Sequence, residues 1–305
     1  MANCQILVGW LKKNMKKSRK GVEMKFSFII GTLNRTKELE YCLKSLMNQI
    51  YKNFEIIIID QSENDLTEKM ISVFGSENIV YRHVDFCGLS RARNAALRLA
   101  TGDYICLTDD DAYYHQDYLL NLVNHFQKND FSIVSGYMWN AMENVEFIDY
   151  SNLEIGKVLS IRQIIRNCPS PAITFPKKIV DEIGMFDEDF GVGAKYGAGE
   201  ETDFLLRALW HGYSTIYCSD VKVDHPHKNA KISNDESSEK RKVYNYSFGI
   251  GAMYRKQFAI GKTSKLVIPW TEQIIKNIVK NILHRKNSKT IRNRFMQGFK
   301  SYNLE

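Results

Sequence analysis

Three consecutive carboxylates, Asp109-Asp110-Asp111, follow the strand-like run Asp103-Tyr104-Ile105-Cys106-Leu107-Thr108. Side by side they repel one another, and a divalent cation relieves that repulsion. Mg²⁺ and Mn²⁺ prefer oxygen ligands and usually share themselves with substrate phosphates. An acidic triplet can also be a solvated turn. Its place at the exit of an apolar strand favours the cation, because ligands of open α/β sheets bind beyond the carboxyl ends of strands. His225, in Val223-Asp224-His225-Pro226-His227 after another strand-like run, is a candidate third ligand, with His227 as its rival. Asp60 ends a wholly apolar run, so its carboxylate needs a donor or water, or caps the following turn. Arg91 and Arg93 open a helical segment, where the dipole disfavours cations by about 0.3–1 kcal/mol each, and this points to an anion within their reach rather than to surface ion pairs alone. Glu200, Glu201 and Asp203 open a helix as well, a position that acidic residues stabilise by themselves.

The elements that must position these groups read as a regular alternation. Residues 26–30 form a first strand, and 38–48 a helix with Leu39, Cys42, Leu43, Leu46 and Met47 at helical spacing. Residues 54–59 are a continuous apolar run of the kind buried in a parallel sheet. Helices are expected over 66–74 and over 89–99, the latter stopped by Gly102, with a short strand at 79–83 between them. Strand, helix, strand, helix in these lengths predicts a parallel sheet with right-handed crossovers, a nucleotide-binding α/β half. After a helix at 118–128 and a strand at 131–136 the pattern is irregular up to Cys168. Ile173-Thr174-Phe175-Pro176 suggests an antiparallel strand cut by its proline. Gly191, Gly193, Gly197 and Gly199 make a flexible loop before a helix at 200–211, and two further strands are expected at 214–218 and 221–223.

At 305 residues, with 44% hydrophobic and 25% charged residues, the composition is that of a globular protein. Six scattered cysteines with no C-x-x-C pair argue against a zinc site and fit reduced thiols in the cytoplasm. No apolar run approaches the roughly 18 residues that span a bilayer, and the lysines near the start follow the apolar stretch, where a secretory signal would precede it. Residues before Met24 have no core periodicity, so translation from Met24 is an alternative that intact mass of the natively expressed chain decides. The net charge of +7 is unevenly spread: residues 240–305 carry 15 basic against 2 acidic groups and residues 1–25 carry 7 against 1, leaving −12 for the middle. That distribution does not suit a nucleic-acid binder with one basic face. It suits a catalytic domain with basic appendages and, through them, an anionic membrane surface. In the tail, Trp270, Ile274, Ile275, Ile278, Val279, Ile282 and Leu283 share one helical face, which would dock on lipid or pack on the chain's own domain.

Five motifs occur in order: Phe26-Ser27-Phe28-Ile29-Ile30-Gly31-Thr32-Leu33-Asn34-Arg35, Ile57-Ile58-Ile59-Asp60, Gly88-Leu89-Ser90-Arg91-Ala92-Arg93-Asn94-Ala95-Ala96, Thr108-Asp109-Asp110-Asp111 and Gly199-Glu200-Glu201-Thr202-Asp203. Over about residues 26–230 the chain resembles family 2 glycosyltransferases, inverting, Asp-x-Asp metal-dependent enzymes of the GT-A fold. The resemblance implies an α/β, GT-A nucleotide-sugar-binding fold with a central, mostly parallel sheet, to which C-terminal amphipathic helices are added. Together with the charge distribution it divides the chain into a basic extension at 1–25, a catalytic domain at 26–235 (nucleotide-binding half 26–115, acceptor half 116–235) and a basic helical appendage at 236–305. Thr32, Asn34, Arg35, Asp60, Arg93, Asp109 and Asp110 would bind the nucleotide-sugar, with Asp60 accepting from N3–H of uracil or thymine and Arg93 favoured over Arg91 at the diphosphate. Asp109, Asp111 and His225 would hold Mg²⁺ or Mn²⁺. Glu201 stands where the family has the aspartate that deprotonates the acceptor hydroxyl, with Asp203 as the alternative base. The implied activity is transfer from a nucleotide-sugar, UDP-linked, to a hydroxyl of a saccharide or lipid-linked saccharide, with inversion, in bacterial surface polysaccharide synthesis at the cytoplasmic side of the membrane. Leu33 and Glu201 depart from the family pattern, which motivates a non-catalytic nucleotide-sugar binder as the rival. A nucleotidyltransferase would also use paired carboxylates, but its glycine-rich loop with a lysine is not supplied by residues 31–35.

Overall fold

The computed structural model describes residues 23–75, 77–128, 132–140, 144–146, 148–226, 236–260, 263–283 and 288–302. The extension up to residue 22, His227 and the side chains of Ile278, Val279, Ile282 and Leu283 lie outside the described residues.

The chain begins β1 (Phe26–Thr32), α1 (Thr36–Met47), β2 (Phe54–Asp60), α2 (Leu66–Phe74), β3 (Ile79–His83), α3 (Leu89–Leu99), β4 (Tyr104–Asp109). In β1, Phe26, Phe28 and Ile30 join one buried cluster and Ile29 the other. Every residue of β2 is buried. With apolar side chains on both faces, these strands must be covered on both sides. β1, β2, β3 and β4 pair in parallel as the alternation predicts, and register places Thr32 opposite Asp60 and Gly31 opposite Asp109. The first loop and the acidic triplet therefore emerge side by side at the carboxyl edge of the sheet.

Next come β5 (Tyr113–Tyr114), α4 (Tyr118–Phe126), β6 (Ser132–Asn140), β7 (Val145–Glu146), α5 (Ile161–Asn167), β8 (Ile173–Pro176), α6 (Lys178–Ile183), α7 (Glu200–Trp210) and β9 (Ser214–Asp224). Helices α1 and α4 cover one face of the sheet, with Leu43, Leu46, Leu119 and Leu122 fully buried. The strand order is β3-β2-β1-β4-β8-β6-β9-β5, with β7 on β6. β8 is antiparallel to both β4 and β6, and Pro176 is its last residue. Two elements differ from expectation. Residues 161–167 form a helix inside the stretch read as irregular, and its start carries a Ser160/Gln163 capping box. The strands expected at 214–218 and 221–223 are one strand with a bulge: Gly136 pairs with Cys218, and the next residue, Tyr137, pairs with Lys222. Gly136 makes this possible, because a Cβ there would lie 2.3 Å from the Val221 carbonyl oxygen.

The chain closes with α8 (Glu236–Ala259), α9 (Thr263–Leu283) and α10 (Ser288–Ser301). The boundary at 235/236 is one of charge and not of packing. Ala252, Met253, Tyr254, Leu266 and Phe295 are buried in the same cluster as Ile29 and Ile105. Trp270 packs edge-on against Phe258 and at a tilt against Phe299, with centroids 5.9 and 5.6 Å away, and Ile274 joins the same cluster, while Val267, Ile268 and Ile275 are exposed. The inner part of the amphipathic face thus rests on the chain's own core. No helix among the described residues is long and apolar enough to cross a membrane. α8 and α10 meet backbone to backbone: a Cβ on Gly251 would stand 1.9 Å from the Phe295 carbonyl oxygen, and one on Gly298 1.8 Å from that of Phe248. Gly298→Ala is expected to force these helices apart and to lower stability by about 1–3 kcal/mol, read as a lower Tm with the sheet core unchanged.

Candidate active site

A cavity of about 490 Å³ opens where β1 and β4 end, within the size range of small-molecule sites. The triplet lines it, and its repulsion is answered by two guanidinium groups and an imidazole. Asp110 accepts from Thr32 Oγ1 at 2.8 Å and pairs with Arg35 Nη1 at 2.8 Å. Asp111 pairs with Arg35 Nη2 and, at 3.0 Å, with His225 Nε2. Asp109 lies 3.2 Å from Arg93 Nη2 and 3.8 Å from His225 Nε2. Burial pushes Asp110 up to about 7, against the pull of Arg35 and Thr32. Burial also raises Asp109, opposed by Arg93 and His225. At Asp111 burial acts in the same sense, but His225 and Arg35 together outweigh it and hold the carboxyl at about 2. Burial would lower the His225 imidazole, and its two carboxylate neighbours instead raise it.

Arg93 reaches an anion, as its helical position suggested, but in this conformation the anion is the protein's own. Its side chain is wholly buried, with Nη1 3.0 Å from Glu200 Oε1 and Nη2 on Asp109 and Ser170 Oγ. Arg91 instead lies over the Phe86 ring at 4.3 Å, 3.8 Å from Glu188. Thr32 and Arg35 line the cavity, as does Leu33. Asn34 adopts a left-handed φ of 55° and its backbone N–H donates to Ser62 Oγ, away from the lining. Asp60 is fully buried and does not line the cavity. Its Oδ1 accepts from the Ser62 N–H at 3.0 Å, the turn-capping contact, and its Oδ2 from the Tyr81 hydroxyl at 3.0 Å. The neighbouring Gln61 takes the cavity position, held by the Gly88 N–H on its Oε1 at 2.7 Å.

Gly199, at φ 97°, starts α7, whose first two residues join the triplet in the cavity lining. Glu200 binds Arg93, and Glu201 lines the cavity beside it. Crowding by protein, with the Glu200 charge adding to it, raises the Glu201 carboxyl well above the usual range. Asp203 is not brought to the cavity. Fully buried, it accepts from Arg207 Nε at 2.9 Å, Lys256 Nζ at 2.9 Å and Gln257 Nε2 at 2.7 Å, tying α7 to α8. Through that helix Tyr246 enters the lining, a residue that no motif singles out. Ser170, which accepts from Arg93, also lies outside every motif.

The arrangement places a crowded carboxyl, Glu201, in one cavity with an acidic cluster and an imidazole. Carboxylate oxygens with one imidazole nitrogen are a donor set that suits Mn²⁺ or Mg²⁺. Among the described residues, no group of three or more His, Cys, Asp or Glu side chains already stands ready to hold an ion, and Arg35 and His225 satisfy Asp111 in its place.

The relatives in sequence are glycosyltransferases. The chain is 28% identical over 210 residues to the amylovoran biosynthesis glycosyltransferase AmsB of Erwinia amylovora, covering 64% of this chain and 67% of that protein. It is 27% identical over 164 residues to the UDP-Glc:alpha-D-GlcNAc-diphosphoundecaprenol beta-1,3-glucosyltransferase WfaP of Escherichia coli, covering 48% and 64%. With the glycosyltransferase GlyA of Streptococcus pneumoniae it shares 30% over 128 residues, 41% of this chain but 18% of GlyA. The chain thus spans from under a fifth to two thirds of the length of these relatives. Among solved structures, the mannosyltransferase PcManGT from Pyrobaculum calidifontis, in complex with GDP-Man and Mn²⁺, superposes with a TM-score of 0.64 at 17% identity, covering 98% of this chain and 84% of that one. TarS of S. aureus (residues 1–349), in complex with UDP-GlcNAc, gives 0.59 at 16% identity, covering 92% and 91%. At such identities the likeness is one of fold, and that fold is GT-A, as the motifs imply. The model of the family described as Glycosyl transferase family 2 matches residues 27–184. With over half its length so matched, the chain belongs to glycosyl transferase family 2.

Proposed function

We propose that this glycosyltransferase moves a sugar from a UDP-linked donor to a hydroxyl of a saccharide or lipid-linked saccharide, with inversion, in the synthesis of a bacterial surface polysaccharide. The observation that carries the reading is that Glu201, with a raised carboxyl, lines the same cavity as the acidic triplet. Its unprotonated form takes the proton of the acceptor hydroxyl on a carboxylate oxygen. The oxygen so freed attacks the anomeric carbon from the side opposite the departing diphosphate, and a single displacement inverts that centre. Glu200 is held by Arg93 and stays out of this step, while its charge keeps Glu201 basic. Thr32, Arg35 and Asp110 form the wall beside the donor. Asp109, Asp111 and His225 would hold Mg²⁺ or Mn²⁺, which when bound supplies Lewis-acid stabilisation of the departing nucleoside diphosphate.

The name of WfaP, a UDP-Glc enzyme acting on a diphosphoundecaprenol-linked sugar, supports both the donor and a lipid-linked acceptor. For Asp60 to accept from N3–H of uracil, the base must reach its remaining lone pairs beside Ser62 and Tyr81. Exposed Val267, Ile268 and Ile275, in a segment with 15 basic against 2 acidic residues, support docking on an anionic membrane surface.

The test is a panel of nucleotide-sugars incubated with the chain and Mg²⁺ or Mn²⁺. Release of nucleoside diphosphate supports the reading. Pyrophosphate would mark a nucleotidyltransferase, and no product despite binding a non-catalytic binder; either result overturns it.

A further inference from the structure

A second cavity, of about 430 Å³, lies along the bulge between β6 and β9. Its walls are aromatic. Tyr150 stacks on Tyr217 with centroids 5.3 Å apart, Tyr137 lies 4.7 Å from Tyr150, and Trp139 continues the row, nearly parallel to Tyr137 at 6.2 Å. Its rim is polar and of mixed sign, with Glu146, Ser219 and Lys222. Tyr217 is only 4% exposed, yet its hydroxyl has no hydrogen-bond partner among the described residues. A tyrosine that lines a solvent-accessible cavity can offer its hydroxyl as donor and acceptor to whatever fills the space. Lys222 likewise forms no ion pair among the described residues.

The row runs towards the first cavity. Lys222, on β9, is three residues before His225, which follows the strand end, about 10 Å at strand rise, and the His225 N–H donates to the Trp139 carbonyl at 2.8 Å. Tyr150 and Tyr217 cover a face of each other, while half-buried Tyr137 leaves aromatic surface that suits the C–H-rich face of a pyranose. A carboxylate, an ammonium and hydroxyls on one rim suit a ligand that both donates and accepts along its edge.

The geometry points to the second cavity as a remote subsite for an oligosaccharide, holding sugar units of the acceptor while its terminal hydroxyl lies at Glu201. This rests on the glycosyltransferase reading for its role, but the binding stands or falls by itself. The bulge leaves residues 219–221 without a β6 partner, and Ser219 and Lys222 at its two ends line the cavity.

The test titrates the full chain, without donor, against di- to tetrasaccharides of glucose, galactose and N-acetylglucosamine, using saturation-transfer NMR. At least one should bind, and its Kd should rise fivefold or more in Tyr217→Phe and in Lys222→Ala. Metal-dependent nucleoside diphosphate release to water should be unchanged in both variants. Failure of every oligosaccharide to bind the unaltered chain, or a Kd in both variants equal to that of the unaltered chain, overturns the subsite. Should the unaltered chain release no nucleoside diphosphate, the reading of the first cavity fails, while the titration still decides the second.

Discussion

Glu201→Gln is expected to slow sugar transfer about 10²–10⁴-fold, the usual contribution of a general base, while the Kd of the donor nucleotide changes by no more than a small factor. Glutamine keeps the shape and the space of the side chain but cannot accept the hydroxyl proton. Donor affinity should survive because the groups around the triplet, Arg35 and Arg93 included, are untouched. The acid limb of kcat/KM should lie above the ordinary carboxylate range, because activity requires unprotonated Glu201 and its carboxyl is raised. Activity therefore rises with pH through that raised value. Glu200→Gln removes a neighbouring charge and releases Arg93 towards Glu201, and both effects move the limb to lower pH. Asp203→Asn is the control. It removes a buried charge from Arg207 and Lys256, so its main effect should be on stability, by about 3–5 kcal/mol for an uncompensated buried pair. An active Glu201→Gln beside a folded but inactive Asp203→Asn would reverse the assignment of the base.

Asp111→Asn should raise the Mn²⁺ concentration needed for half-maximal activity by more than the 10–100-fold typical of losing an outer-shell partner, and chelation should silence the unaltered chain. Direct titration of Mn²⁺ by its paramagnetic signal checks the same loss without relying on turnover. Unchanged metal affinity would refute the assignment of this carboxylate. Crowding among three carboxylates suggests that removing one relieves repulsion, but the structure indicates otherwise for Asp111. Its carboxyl is held at about 2 because His225 and Arg35 outweigh burial. A folded-state value below the unfolded one contributes stability that is present above about pH 4 and lost as pH falls towards 2. The Asp111→Asn variant forgoes that contribution at neutral pH, so it should melt lower. Asp110, pushed up to about 7, is the member whose charge is poorly supported, and its removal should cost the fold less.

Much of this molecule was legible from local pattern. Apolar runs bounded by glycine and by polar residues have a period set by neighbouring residues alone, so the four parallel strands, their helices and the carboxyl edge where Thr32, Asp60 and Asp109 emerge could be read directly. The first turn of α7 was legible for the same reason. The helix at 161–167 carried its capping box in the sequence and was hidden only by the irregularity around it.

What the tertiary structure alone decided are contacts between residues far apart in the chain. Arg93 meets Glu200 across 107 residues, and Asp203 meets Gln257 across 54. Those meetings leave Glu200 and Glu201 in the cavity lining, Glu200 paired with Arg93, and take Asp203 out of it, although all three share one helical turn. The packing of α8 through α10 into the central core, and with it the entry of Tyr246 into the cavity lining, likewise depends on glycines that let backbones touch. A sequence reports which side chains could do chemistry, because that is a property of each residue and its near neighbours. Which of them share a solvent-accessible cavity, and which are spent on one another, is settled by non-local packing and by the low-dielectric pairing that burial enforces.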